Sequence, residues 1–418
     1  MAEGRDPALG HLAQLQTAPL PFLRSLRDQG EVVTIYIGPE PMHVVTEPKL
    51  AADVLVGRYG AFNRDRFAVA NEQFVGHSTA VISGGAHRNR RQLMAPSFQR
   101  ARMGEYVAEM ARIARKRVGS WQDGDVLAMD DEAFTLSLAT SGTCLFGTDL
   151  AEDTLNAIHT QLMAALGEVA DGVADRDSGA TAEVRRMITD IVAQRRADGV
   201  DRGDLISAFL AQLTDEQIVD EVVGLLAAGV DTPAVALTWL LHELASHPSV
   251  ERQVLAEIDA VVGDDDVTEE HVRSLEYLHQ VIQETLRRYA AYLLPSQAEQ
   301  DVELAGLRIP AGSVIGISLY ALHYDPRSFV DPDRFDPDRW AAARVASIER
   351  GTHIPFSTGN RKCPGDLFAL TELTVWLATI LSRFRLVPES SEPVQAVVHG
   401  FTIRPEALPM RLVARTRP

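Results

Sequence analysis

The chain has 418 residues, 46% of them apolar and 23% charged, a balance that supports an ordinary packed core and excludes wholesale disorder. Its formal charge of -18 repels nucleic acid and anionic lipid at long range, so neither is expected as a partner. Only two cysteines occur, Cys144 and Cys363, which excludes a disulfide framework and a multi-cysteine zinc site and points to a reducing compartment.

The N-terminal stretch MAEGRDPALGHLAQLQ lacks a charged segment followed by an apolar one, and no stretch reaches the eighteen or so uncharged apolar residues of a membrane span. A cytoplasmic enzyme is expected. The length leaves two ordinary domains or one large helical domain open. No repeat, no Gly-Ser or Pro-rich linker and no dinucleotide glycine fingerprint is present, which favours one domain over residues 1–418 with no fused reductase.

In chain order, EVVTIYIGPEPMHVVTEP (31–48) sets β-branched residues on either side of Gly-Pro and predicts a hairpin. From Lys49 to about Ala260 the periodicity is helical, as in 133–147 and 184–197, with polar surface loops expected at 174–183 and 263–271. Within this stretch Thr214-Asp215-Glu216-Gln217 fits a capping box, and the pattern then runs unbroken to about His247. A helix of that length, apolar on most faces, should cross the core. Its centre carries Gly229, Asp231, Thr232 and Pro233. Pro233 lacks the N–H that would bond the Gly229 carbonyl, so a bulge is expected there, with Thr232 or a water taking up the freed carbonyl. Strands are predicted in 300–325 and near the C-terminus. Together these elements give a mainly α fold with small peripheral β-sheets (α+β).

Residues 356–365 read Phe-Ser-Thr-Gly-Asn-Arg-Lys-Cys-Pro-Gly, and helical spacing follows. Orphan N–H groups at a helix start stabilise a thiolate, and Pro364 suits a first helical turn. Gly359 and Gly365 allow close approach of a flat porphyrin, and Arg361 offers paired donors to a propionate. A lone Cys363 would otherwise read as a small buried hydrophobe; the Phe-x-x-Gly-x-Arg-x-Cys-x-Gly spacing favours an iron ligand.

With this segment the chain resembles the cytochrome P-450 family over nearly its whole length, from Pro7-Ala8-Leu9-Gly10-His11 to Arg404-Pro405 and Leu408-Pro409. The resemblance implies an α-rich prism enclosing one haem b (iron protoporphyrin IX) between the long central helix and the cysteine-loop helix, with Cys363 as axial ligand. Phe356, Gly359, Arg361 and Gly365 then belong to the haem-binding loop, Ala228 and Gly229 lie over the iron, and Asp231 and Thr232 form the acid-alcohol pair that delivers protons during dioxygen activation. Glu284, Arg287 and Arg339 correspond to a buried cluster that anchors the cysteine loop. His87 and Arg91, one turn apart, are expected to face haem propionates.

Three positions depart from the family pattern: Pro233 stands for a second threonine, Ala290-Ala291 for Pro-Pro, and Ser296 for a propionate-binding arginine. The implied reaction inserts one oxygen atom from O2 into an unactivated C–H or C=C bond of a lipophilic small molecule, a terpenoid or other secondary metabolite. The substrate wall is expected to include Leu225, Leu293, Leu294 and Phe401. Electrons come from a ferredoxin and ferredoxin reductase, with NAD(P)H acting only through them, docking on a basic face of Arg88, Arg90, Arg361 and Lys362; the chain is expected to be a monomer. The alternatives are a nonhydroxylating oxidation, such as C–C bond formation or desaturation, and a non-catalytic haem sensor.

Overall fold

The computed structural model describes residues 1–64, 71–147, 152–400 and 402–416. Two compact units emerge, each assembled from segments far apart in sequence. One comprises Met1–Val69, Gln283–Cys363 and Val398–Ile403, the other Ala70–Ile282, Pro364–Val397 and Arg404–Pro418. Helix dominates. The strands are β1 (Val32–Ile37), β2 (Glu40–Val45), β3 (Phe62–Asn63), β4 (Val126–Ala128), β5 (Leu294–Ala298), β6 (Val302–Leu304), β7 (Leu307–Ile309), β8 (Val314–Ile317), β9 (Phe384–Pro388), β10 (Ala396–His399), β11 (Thr402–Pro405) and β12 (Pro409–Ala414).

The first unit is built on a sheet of order β1-β2-β8-β5-β3. The predicted hairpin forms, running from Val32↔Val45 to Ile37↔Glu40, and Gly38 takes φ +59° in its two-residue turn, where a side chain would be strained. β2 and β8 pair in parallel, which brings residues 42–45 beside 314–317. Inward residues Val45, Ile315 and Ile317 pack with Leu319, Leu322 and Val54 into one apolar cluster, while Phe22, Leu23 and Leu26 meet Val33, Ile35 and Val44 in another. The strand reading of 300–325 holds only as far as Ile317. Ser318 then accepts from the Ala321 N–H at 3.1 Å and starts the short helix Leu319–His323, because the β-branched run ends at a residue suited to capping.

The second unit is organised by the long helix Asp215–Ser246, whose Thr214/Gln217 capping box forms as predicted. It packs against the helices Met129–Phe146 and Gly179–Asp198, while Asp366–Leu381 packs against Arg100–Val118. By length and composition this helix, unlike the expectation above, does contain a stretch apolar enough to cross a membrane, but 72% of that stretch is buried inside the protein. The two expected surface loops are shorter than predicted. A helix already begins at Gly179, and another at Glu269 behind a Thr268/His271 capping box.

The helix also passes through Pro233 without interruption. The freed Gly229 carbonyl is bonded not by Thr232 but by the hydroxyls of Ser137 and Ser141, which donate to it at 3.2 and 3.4 Å. These serines sit one turn apart on the neighbouring helix, so a second element supplies what the proline removed. Thr232 instead donates to the Ala228 carbonyl one turn back, at 2.8 Å.

Candidate active site

The loop before Cys363 is held by its own backbone. The Cys363 N–H donates to the Phe356 carbonyl at 2.9 Å, and Lys362 N–H to the Gly359 carbonyl at 3.1 Å, around the 3-10 turn Gly359–Arg361. Ser357 adopts φ +59°, an uncommon conformation for a residue with a side chain. Gly359 takes φ +69°, and a Cβ there would run into the Leu55 carbonyl of the π-turn Asp53–Gly57. The expected reason for Gly359 was a porphyrin; packing of protein on protein already requires it. The helix starts at Asp366 with Gly365 as its N-cap, so Pro364 precedes the cap and Cys363 lies outside the first turn, contrary to the placement predicted above. Cys363 is half-buried and Cys144 fully so. Burial, reinforced by Glu372, pushes the Cys144 thiol far above its ordinary range, so it stays protonated and inert.

Behind the loop, Glu284, Arg287 and Arg339 are brought together as the resemblance implied, all buried. Arg287 donates to both carboxylate oxygens of Glu284 at 2.8 and 3.0 Å, and Arg339 Nε donates at 3.3 Å. The Asp336 N–H and Trp340 Nε1 add bonds of 3.0 Å each. Arg339 also reaches the carbonyls of Val330 and Asp331, and Asp331 itself has φ +49°. The link to the cysteine loop is a residue that sequence reasoning missed. His323 Nδ1–H donates to the Arg287 carbonyl at 3.0 Å, and its Nε2 accepts the Ile354 N–H at 3.1 Å, two residues before Phe356.

Burial, aided by Arg287, pushes the His323 imidazole down to about 3. The folded state therefore refuses a proton that the unfolded chain takes near pH 6.5. Stability from this group is complete above the unfolded value and is lost as pH falls from about 6.5 towards 3, by about 1.4 kcal/mol per pH unit. Urea midpoints measured from pH 7 to 5 should show His323→Gln losing one proton's share of this slope. An unchanged slope would mean that His323 is not held neutral.

On the long helix, Leu225 and Gly229 are half-buried while Ala228 and Thr232 are exposed, amid neighbours that are almost all buried. Their spacing puts them on one face, so a strip of Leu225, two small residues and one hydroxyl is less covered by protein than the rest of the mid-helix. Asp231 points elsewhere. It is buried and its Oδ1 accepts from Arg404 Nη2 at 2.5 Å. His87 is buried and Arg91 half-buried on the helix Gly84–Met94. Arg88 is exposed as predicted, but Arg90 is buried and faces Glu221 at 3.7 Å, so it drops out of the basic surface. Leu293 and Leu294 are half-buried, each packed against one of the apolar clusters of the first unit. Phe401 lies outside the described residues.

Residues 3–408 match the family described as Cytochrome P450. The chain belongs to that family. It is a cytochrome P450 monooxygenase, and three curated P450 relatives from Streptomyces align with most or all of it. It is 35% identical to cyclooctat-9-en-7-ol 5-monooxygenase of Streptomyces melanosporofaciens, over 93% of this chain and 89% of the relative. Pentalenene oxygenase of Streptomyces avermitilis is 32% identical, covering 99% and 97%. Cyclooctatin synthase of Streptomyces melanosporofaciens is also 32% identical, covering 100% and 95%. The P450 fold is shared with the crystal structure of the cytochrome P450DA heme domain at a TM-score of 0.89 and 24% identity, over 99% of this chain and 96% of that one.

The residues present fit the haem that defines P450 enzymes. A half-buried thiol stands at the end of a backbone-braced loop, and Arg361 precedes it by two residues.

Proposed function

We propose that this P450 inserts one oxygen atom from O2 into a terpenoid, with haem b held through Cys363 and electrons passed from NAD(P)H by a ferredoxin reductase and ferredoxin. The observation that carries the substrate class is whole-chain similarity, at 32–35% identity, to enzymes named cyclooctat-9-en-7-ol 5-monooxygenase, pentalenene oxygenase and cyclooctatin synthase. When bound to a cysteinate, haem supplies dioxygen activation, since the thiolate pushes electron density that favours O–O cleavage. The protein's own groups divide the remaining work. The braced loop fixes Cys363, and the Glu284–Arg287–His323 chain fixes that loop through Ile354. Thr232 spends its hydroxyl proton on the Ala228 carbonyl, so its oxygen lone pairs are turned to the open face as acceptors. Asp231, one residue away, is the acid of the pair, oriented by Arg404. Arg88 and Lys362 are exposed cations suited to an acidic electron donor.

The test is the visible spectrum of dithionite-reduced protein under carbon monoxide, followed by titration of the ferric form with cyclic terpenes. A strongly red-shifted Soret band and a low-to-high-spin change with terpenes are expected. A haem spectrum without the red shift would remove Cys363 as ligand. A red-shifted band with no terpene response, alongside a response to another lipophilic class, would overturn the substrate.

A further inference from the structure

Pro233 deprives the Gly229 carbonyl of its helical donor, and the residues between the two, Val230, Asp231 and Thr232, include both groups assigned above to proton delivery. A proline inside a helix ordinarily kinks it, because its ring presses on the carbonyl four residues back. The long helix nevertheless continues from Asp215 to Ser246.

The hydroxyls that replace the missing N–H point in an unusual direction. A serine or threonine within a helix commonly turns its hydroxyl back to the carbonyl one turn earlier. Thr238, Thr371, Thr374 and Thr379 do so here. Ser137 and Ser141, both fully buried, send theirs across to the neighbouring helix, to one and the same oxygen. A carbonyl oxygen has two lone pairs, so both bonds can form at once and fix it from two sides. A Cβ added at Gly229 would stand 3.9 Å from the Ser141 Oγ, which puts the two helices in van der Waals contact at this turn.

The consequence falls on Thr232. Its single hydroxyl proton goes to the Ala228 carbonyl at 2.8 Å, and the Gly229 carbonyl is the next acceptor on the same helix, three residues back. Threonine hydroxyls on a helix reach carbonyls either three or four residues back. With Gly229 occupied by two serines, Ala228 is the acceptor that remains, and the direction of the Thr232 lone pairs follows from that choice. Without the serines, a carbonyl lacking any donor competes for the Thr232 proton, and the turn that carries Asp231 is no longer fastened.

We propose that Ser137 and Ser141 are positioning residues for oxygen transfer: by holding the Gly229 carbonyl they keep the Thr232 hydroxyl on Ala228 and Asp231 in its place beside it. This rests on Asp231 and Thr232 delivering protons, as proposed above.

The test uses the haem-loaded protein with NADPH, a ferredoxin reductase, a ferredoxin and the cyclic terpene that gives the largest spin change. Wild type is compared with Ser137→Ala, Ser141→Ala, the double variant Ser137→Ala/Ser141→Ala and the triple variant that adds Pro233→Ala. The readouts are hydrogen peroxide released per electron pair, the infrared C–O stretch of the reduced carbon monoxide form, which responds to the direction of nearby hydroxyls, and the urea midpoint. Each misdirected turnover spends two electrons and two protons on turning O2 into hydrogen peroxide, so the first readout counts failed proton delivery. In the double variant it should rise about twofold to tenfold, the weight of one hydrogen bond in a population, and the stretch should shift or split. The single variants, each keeping one donor, should lie between. The triple variant restores an N–H at position 233, gives Gly229 back its own helical donor, and should recover both wild-type values. Wild-type peroxide release and stretch in every serine variant that loads haem would overturn the inference, even with a lowered urea midpoint, because the serines would then act in packing alone. A triple variant no better than the double one would overturn it too. Thr232→Ala and Asp231→Asn separate the two readings: unchanged peroxide release in both would remove proton delivery and this inference with it, whereas a rise in them beside silent serine variants would remove the inference alone.

Discussion

Glu284→Gln is expected to cost about 3–5 kcal/mol of folding stability, because it leaves Arg287 and Arg339 buried without the carboxylate they share. The amide keeps the shape of the side chain but not its charge, and one end of it becomes a donor facing donors. The carboxylate receives three bonds from the two guanidiniums and one each from the Asp336 N–H and Trp340, so no rotation of an amide can satisfy the set. Against a typical stability of about 5–15 kcal/mol, the loss consumes about a fifth of the margin at the least. Its reach extends to the cysteine loop, since Arg287 presents the carbonyl that orients His323, and His323 holds the Ile354 N–H. The urea midpoint and the haem content per chain should therefore fall together, although the hydrogen bonds of the Glu284 carboxylate go to Arg287, Asp336, Arg339 and Trp340 and not to the loop itself. Trp340→Phe, which removes one neutral donor, should cost about 1 kcal/mol. A loss below about 1 kcal/mol for Glu284→Gln would show that the buried charges are compensated by other groups.

The features legible in the sequence were those where one residue's chemistry dictates its surroundings. Thr214 and Gln217 announced a helix start, Gly38 a hairpin turn, and the Phe356–Gly365 spacing a cysteine loop. What escaped was supplied from across the fold. No local pattern tells that the carbonyl freed by Pro233 is answered by Ser137 and Ser141, some ninety residues upstream. A hydroxyl pair one turn apart in an otherwise buried apolar helix was the available signal. His323 reads as part of a strand, because three of the four residues from Val314 to Ile317 are β-branched and the capping role of Ser318 shows only once the chain turns. The helix register of Arg90 gave no warning of burial, which depends on Glu221 lying opposite. Gly359 is needed for close packing against the Leu55 carbonyl as well, a contact that no local pattern announces.

Asp231 and Arg404 are 173 positions apart in the chain and form the ion pair on which the reading of the long helix now depends. Arg404→Leu should cost as much as about 3–5 kcal/mol, since the Asp231 side chain is only 10% exposed and would lose its guanidinium. Asp231→Asn leaves the arginine without its counter-charge and should also destabilise. The double replacement should cost clearly less than the sum of the two, and a coupling near zero in that cycle would mean that the contact contributes nothing in solution. Stability and chemistry separate through Arg404→Lys, which keeps the charge at one donor point but loses the planar fork. If the arginine orients Asp231 for proton delivery, Arg404→Lys should recover much of the folding stability while releasing more hydrogen peroxide per electron pair and showing a larger solvent deuterium isotope effect on product formation. If Arg404 serves only to neutralise a buried carboxylate, the lysine variant should couple electrons to product as well as wild type does. The same assay on Thr232→Ala is informative, because Thr232 is exposed and, among the described residues, its hydroxyl bonds only along its own helix, so its loss should change coupling with little effect on the urea midpoint.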